Sequence, residues 1–255
     1  MIKQTLWTRD QTIVALNLYC KIPFNRVSSN HPEIIKLANV IGRTPNSVKM
    51  KIGNFGSFDL ELKKRGIVGL SNASKLDEEV WNEFNNDWGA LAYESELLIA
   101  KFTNKSLEKV AGINVEDIPL GREREMIVKQ RVNQSFFRST ILSAYNLKCC
   151  ITDLSIVEFL VASHIIPWAI DDRNRLNPHN GLCLNSIHDK AFDKGFITIT
   201  MDYRIKLSKA LNSFKKENLV LDLFLKYENK VINLPDKFPP SREFLEYHHN
   251  HIFKK

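Results

Sequence analysis

"VEFLVASHIIPW", from Val157 to Trp168, is rich in β-branched and aromatic residues, carries one histidine and is interrupted by a proline. Its Val157–Ile165 part suits a strand, which places His164 near the strand's end. The residues from 171 to 179 are polar and irregular. Asn180-Gly181 is a turn signal in front of the short apolar run Leu182-Cys183-Leu184. Ser186 to Asp193 then has helical character and presents His188, Asp189 and Asp193. The order is a strand with a histidine, a loop, a strand opening after an asparagine, and a helix carrying His and Asp.

The same half of the chain holds further strand-like runs, "KCCIT", "FITIT" and "YRIKLS". The N-terminal half reads as helix. Thr8 is a cap candidate ahead of Ile13, Leu16, Leu18 and Tyr19 at roughly helical spacing. Pro32 suits a first helical turn and Gly42 a left-handed C-terminal stop. Thr44 then caps a new helix with Pro45 at its first position. Helix, glycine turn and helix is the layout of a helix-turn-helix. "KVAGINVEDIPLG" reads as a linker. After it, Phe136, Phe137, Ile141, Leu142 and Tyr145 form the apolar stripe of a long helix expected to dock on the C-terminal domain. The expected fold class is α+β. A helical domain spans 1–110, a linker 111–124 and a second domain 125–255.

A net charge of +7 favours an anionic partner such as nucleic acid. The basic excess is local: residues 1–75 hold twelve Lys and Arg against four Asp and Glu. The segment 76–100 reverses the sign. Arg43, Asn46, Ser47, Lys49 and Lys51 lie near or along the expected exposed side of the second helix of the pair. Short polar and basic residues there suit phosphates and base edges. The plainer alternative is a solvated helix face. Arg131 and Arg138 suit phosphate steering, or equally the pinning of their own helix by ion pairs.

The four cysteines include no CxxC pair, which speaks against a four-cysteine zinc site and for core thiols in a reducing compartment. No apolar run approaches the ~18 residues that a membrane helix needs, and no signal peptide is visible. A cytoplasmic protein without a membrane partner is expected.

The segments "ASHIIPW", "NPHNGLCL" and "HDKAFDKG" match, in order and spacing, the motifs of the HNH nucleases. They fit best a restriction-type subgroup with "(A/S)HI-x-PW", "NP-x-NGL-x-L" and "FD-x-G". "RVNQSFFRSTILSAYNLKCCITD" before them and "FLEYHHNHIF" after them extend the resemblance over roughly 130–255. The resemblance implies a ββα-metal domain and a divalent-metal-dependent DNA endonuclease. It implies His164 as the general base and Asn180 as the residue whose side-chain carbonyl orients the imidazole. The metal, Mg²⁺ or Mn²⁺, would be held by one or both of Asp189 and His188. Asp189 stands nine positions after Asn180, where many members carry the final histidine; His188 remains the alternative. Many members also carry Asp where this chain has Ser163, so the ligand set departs from the pattern. Asp171 and Asp172 are substitutes, or else solvated loop acids.

Phosphodiester hydrolysis needs a base near neutral pKa and a Lewis acid, and imidazole supplies the first. Taken singly, His164 would be a satisfied core histidine, Asn180 a turn former and His188 with Asp189 a helix start. His248, His249 and His251 read as tail packing and Trp168 as core. The expected activity is cleavage of double-stranded DNA to 5′-phosphate and 3′-hydroxyl ends in restriction or defence, with a homodimer as one arrangement and no small-molecule substrate. The alternative is a DNA-binding protein whose HNH site has decayed. An RNA-directed nuclease lacks a supporting aromatic signature.

Overall fold

The structure is a computed structural model of the 255-residue chain and describes residues 6–64, 66, 70, 73–114 and 121–255. Two compact units are present, Met1–Thr140 and Ile141–Lys255.

The first unit is helical. α1 (Arg9–Lys21) starts at Thr8, where the Thr8 hydroxyl accepts from the Gln11 amide and the Gln11 side chain accepts from the Thr8 amide. Every residue from Thr12 to Cys20 is buried, so α1 is the central helix of the unit. α2 (Pro32–Ile41) ends at Gly42 with φ 66°, the left-handed region that glycine enters without a Cβ penalty. α3 (Pro45–Phe55) follows, its first turn capped by the Thr44 hydroxyl on the Ser47 amide. α4 (Leu60–Lys64), α5 (Lys75–Phe84), α6 (Trp88–Thr103) and α7 (Leu107–Val110) complete this succession. Tyr19 packs on Phe55 and Trp81 with ring centroids 6.1 and 5.8 Å apart. Such pairs contribute about 1 kcal/mol each beyond the area they bury.

The two units divide inside α8 (Arg122–Ala144). Of the segment 111–124, expected as a linker, residues 115–120 lie outside the described residues. Among the described residues no helix is long and apolar enough to cross a membrane.

The second unit mixes helix and sheet. β1 (Leu160–His164) and β2 (Gly181–Asn185) pair antiparallel, with Leu160 opposite Asn185 and His164 opposite Gly181. α9 (Ser186–Asp193) leaves β2 without a loop, because Asn185 ends the strand and caps the helix. β3 (Ile197–Ile199) and β4 (Ile205–Leu207) form a second antiparallel pair. α10 (Asn218–Leu223) and α11 (Arg242–His251) follow. The expected strand "KCCIT" is instead a turn. Asn146, Leu147 and Asp153 have positive φ, and the Asp153 amide bonds back to the Cys149 carbonyl. The Cys150 amide bonds to the Cys183 carbonyl, and Asn185 Nδ2 donates to Cys149 Sγ and Thr152 Oγ1, which ties this turn to β2.

α11 packs on β3 through His248, expected as tail packing. Its ring stacks on Phe192 at 3.6 Å, its Nδ1 meets Thr198 Oγ1 at 2.8 Å and its Nε2 meets the Phe192 carbonyl at 3.1 Å. Burial lowers its pKa to about 4. Gly195, the last residue of "FDKG", explains itself here. It has φ 71°, and a Cβ would stand 2.1 Å from the Ile252 carbonyl oxygen.

Candidate active site

β1 ends at His164 just where β2 begins at Gly181, so the long loop between them leaves and returns at one place. The loop is held from within. Asp171 accepts from the amides of Arg173 and Asn174 and from Asn174 Nδ2, which keeps its carboxyl below the usual carboxylate range. That carboxylate closes a turn. Asn174 in turn accepts from Asn177 Nδ2 at 2.9 Å. Asn180 closes the loop across its base. Its Oδ1 accepts from the Ile166 amide at 2.8 Å, and its Nδ2 donates to the carbonyls of Ile166 at 3.1 Å and Asn174 at 3.2 Å. Its side-chain carbonyl, expected to orient the imidazole, accepts from the Ile166 amide and so orients the loop backbone.

The imidazole is oriented by the loop's own backbone. His164 Nε2 lies 2.9 Å from the Arg175 carbonyl. A carbonyl only accepts, so Nε2 carries the hydrogen and Nδ1 carries the lone pair. Trp168 packs edge-on against the ring at 5.5 Å, half-buried and beside the site. Burial lowers the His164 pKa, opposed by the Arg175 carbonyl and by the charge of Asp189. The ring is therefore kept neutral, the form that accepts a proton.

Asp189 sits in the first turn of α9, near enough to His164 for each to shift the other. Burial raises its pKa, against the opposing effects of Ser163, Lys190 and His164. Asp193, one turn further, is raised by desolvation and by the Asp189 charge. Ser163 Oγ is buried and makes no hydrogen bond of good geometry, although it lies close enough to Asp189 to hold that pKa down. A partly desolvated carboxylate with a buried hydroxyl beside it is a setting that suits a divalent cation. Among the described residues no three His, Cys, Asp or Glu side chains converge on one point. The oxygen donors present, Asp189 and Asp193 one helical turn apart, are of the kind that would hold a hard divalent cation which keeps several of its waters.

His188 does not belong to this set. It is buried, its Nδ1 is 2.9 Å from Asn185 Nδ2, and its Nε2 is 2.6 Å from the Leu223 carbonyl. Asn185 donates and Leu223 accepts, so both ring nitrogens are used. Successive helical residues point about 100° apart, and the step from His188 to Asp189 separates a buried packing residue from a half-buried one. Sequence reasoning missed Asn185, although an asparagine ahead of a helix start is a readable cap signal. It also missed Arg175. The Arg175 Nε donates to the Trp168 carbonyl at 2.8 Å and its guanidinium lies 5.3 Å from the Trp168 ring centre.

In the first unit the expected DNA-contacting residues separate. Lys51 is buried, paired with Asp77 and set over the Trp7 ring. This corrects its expected place on an exposed side: Lys51 lies among Val48, Ile52 and Phe55 on the buried side of α3. Arg43 donates to Gln11 Oε1 and to the Leu6 carbonyl and covers Trp7. Asn46 and Lys49 are exposed, and Ser47 is half-buried. In α8, Arg131 and Arg138 are exposed, and Arg131 reaches the Asn114 carbonyl at 3.4 Å.

A family model described as HNH endonuclease matches residues 149–200, about a fifth of the chain, and this span contains His164, Asn180 and Asp189. The match supports the HNH family for this segment and a nuclease acting on nucleic acid. No curated protein matches the chain.

Proposed function

We infer that the chain is a divalent-metal-dependent DNA endonuclease of the restriction type, with 125–255 as the cutting domain and 1–110 as a helix-turn-helix-like DNA-binding domain. The observation that carries the reading is the meeting of a neutral, backbone-oriented His164 with a partly desolvated Asp189 where α9 packs on β1. Asp189 would hold the cation, Mg²⁺ or Mn²⁺, with Asp193 one turn away as the second carboxylate. When bound, the cation neutralises charge on the phosphate oxygens.

The steps taken by this chain's own residues are few. His164 Nδ1 takes a proton from water as that water attacks phosphorus. The Arg175 carbonyl stabilises the resulting imidazolium through Nε2–H. The P–O3′ bond breaks and the leaving O3′ takes a proton from solvent water, which gives 5′-phosphate and 3′-hydroxyl ends. Asn180 keeps the loop closed so that the Arg175 carbonyl stays in register with the ring. Duplex DNA is contacted in the first unit by the exposed residues Asn46 and Lys49, with Ser47 at the helix start, and in α8 by Arg131 and Arg138. A homodimer would give the two sites that cutting both strands of a palindrome requires.

The test is plasmid cleavage in Mg²⁺ or Mn²⁺, with EDTA and His164→Ala as controls. Removal of a general base costs about 10²–10⁴ in rate. Cleavage that EDTA and His164→Ala both abolish, with sealable 5′-phosphate ends, supports the reading. Binding without cleavage on modified and unmodified DNA supports a DNA-binding protein with a decayed site.

A further inference from the structure

We propose that Arg175 is a phosphate-contacting residue of this site, with Trp168 as the shelf that aims its guanidinium at the phosphodiester His164 acts on. This rests on the nuclease reading and adds to it a residue for the anionic half of the substrate. Three observations meet on Arg175. Its carbonyl fixes the His164 tautomer at 2.9 Å. Its Nε is spent on the Trp168 carbonyl at 2.8 Å. Its guanidinium lies over the Trp168 ring, whose edge packs on His164.

The base and the cation are thus two ends of one residue's surroundings, joined through a single aromatic ring. The Nη donors of Arg175 have no hydrogen-bond or carboxylate partner among the described residues. The carboxylate closest in sequence, Asp172, is exposed, and that of Asp171 is occupied by the loop's own turn. A half-buried guanidinium pinned by one nitrogen and stacked on a ring has given up the freedom of a surface arginine, and its remaining fork suits two oxygens of a phosphate. A purely structural arginine would be expected to spend the fork on carbonyls or an acid, as Arg43 does on Gln11 and Leu6.

The experiment uses the full chain with Arg175→Ala and Arg175→Lys. Plasmid cleavage in Mn²⁺ is expected to fall about a hundredfold in kcat/KM for Arg175→Ala and less for Arg175→Lys. Added guanidinium ion is expected to restore part of the Arg175→Ala rate. Binding is read separately, in a His164→Ala background that cannot cut, with a short DNA duplex titrated over a range of salt. Loss of the Arg175 side chain is expected to lower the slope of log affinity against log salt by about one. An unchanged rate and salt slope overturn the proposal and leave the nuclease reading intact. A lower rate with a lowered melting temperature, no guanidinium rescue and an unchanged slope overturns it in favour of a loop-holding role. If the parent chain cuts nothing yet the slope still drops, the nuclease reading falls and the phosphate contact stands.

Discussion

Replacing Asn180 with alanine separates two accounts of this residue, and the hydrogen bonds give the size of the effect. Asn180 is 1% exposed and its amide makes three bonds into the β1–β2 loop. The Asn174 carbonyl also accepts from the Asn177 amide at 3.3 Å, so it survives the loss. Ile166 does not: its amide and its carbonyl would both lose the Asn180 partner beneath buried surface. An unsatisfied buried group costs about 1–3 kcal/mol, so Asn180→Ala is expected to cost roughly 3 kcal/mol. At about 4 °C per kcal/mol for a unit of this size, its melting transition falls by roughly 10 °C. Asn180→Asp is expected to be worse, because it keeps the acceptor for Ile166 but turns an anion on two carbonyls. The direct assay is hydrogen exchange at the Ile166 amide, alongside thermal melting and plasmid cleavage. Loss of protection, stability and cleavage together supports the loop clamp. A variant that melts normally, keeps Ile166 protected and still fails to cut would refute it and return Asn180 to the chemistry.

Asp189→Asn is expected to cut at least about a hundredfold more slowly while melting no lower than the parent. The folded-state pKa of Asp189 is raised, so its ionised form is disfavoured by folding and its removal relieves that penalty. His188→Ala is expected to do the reverse, losing several kcal/mol of stability while Mn²⁺ affinity, followed by titration, stays unchanged. His248 has its folded pKa lowered to about 4, so its neutral form contributes stability that is complete above pH ~6.5 and is lost as pH falls toward 4. The contribution is about 3 kcal/mol, and chemical denaturation across that range should show His248→Phe with a shallower pH slope. Gly195→Ala is expected to free the chain's end, since the backbone conformation costs ~1–2 kcal/mol even before the clash with Ile252. Limited proteolysis after α11 would report it, and an unaltered digest would count against the packing described.

The caps were legible because cap chemistry is local. Thr8, Gly42 and Thr44 each act within four residues of themselves, and a sequence holds all of that information. β1, β2 and α9 were legible from period and turn signals, apart from the first turn of the expected strand, Val157–Phe159, which is a tight helical turn. What was not legible depends on partners far along the chain. Lys51 reads as a surface cation until Asp77 arrives from α5 to pair with it. His188 and Asp189 are adjacent letters, and only the Leu223 carbonyl, thirty-five residues on, decides which of them is spent on packing. The partners of Asn180 were out of reach for a related reason. They are backbone groups, and backbone groups leave no mark in a sequence.

The Arg175 carbonyl that sets the His164 tautomer carries a consequence for how this site can vary. A side-chain acceptor can be lost by one substitution, whereas a carbonyl is present whichever residue occupies position 175. What specifies it is the number of residues between the end of β1 and that carbonyl. Exchanges at exposed loop positions such as Ala169 or Asp172 leave the acceptor in place. Removing one residue between His164 and Arg175 would bring a different carbonyl, or none, to Nε2. The orientation of His164 is thus governed by chain length more than by spelling, and a deletion scan of this loop should be far harsher than a substitution scan.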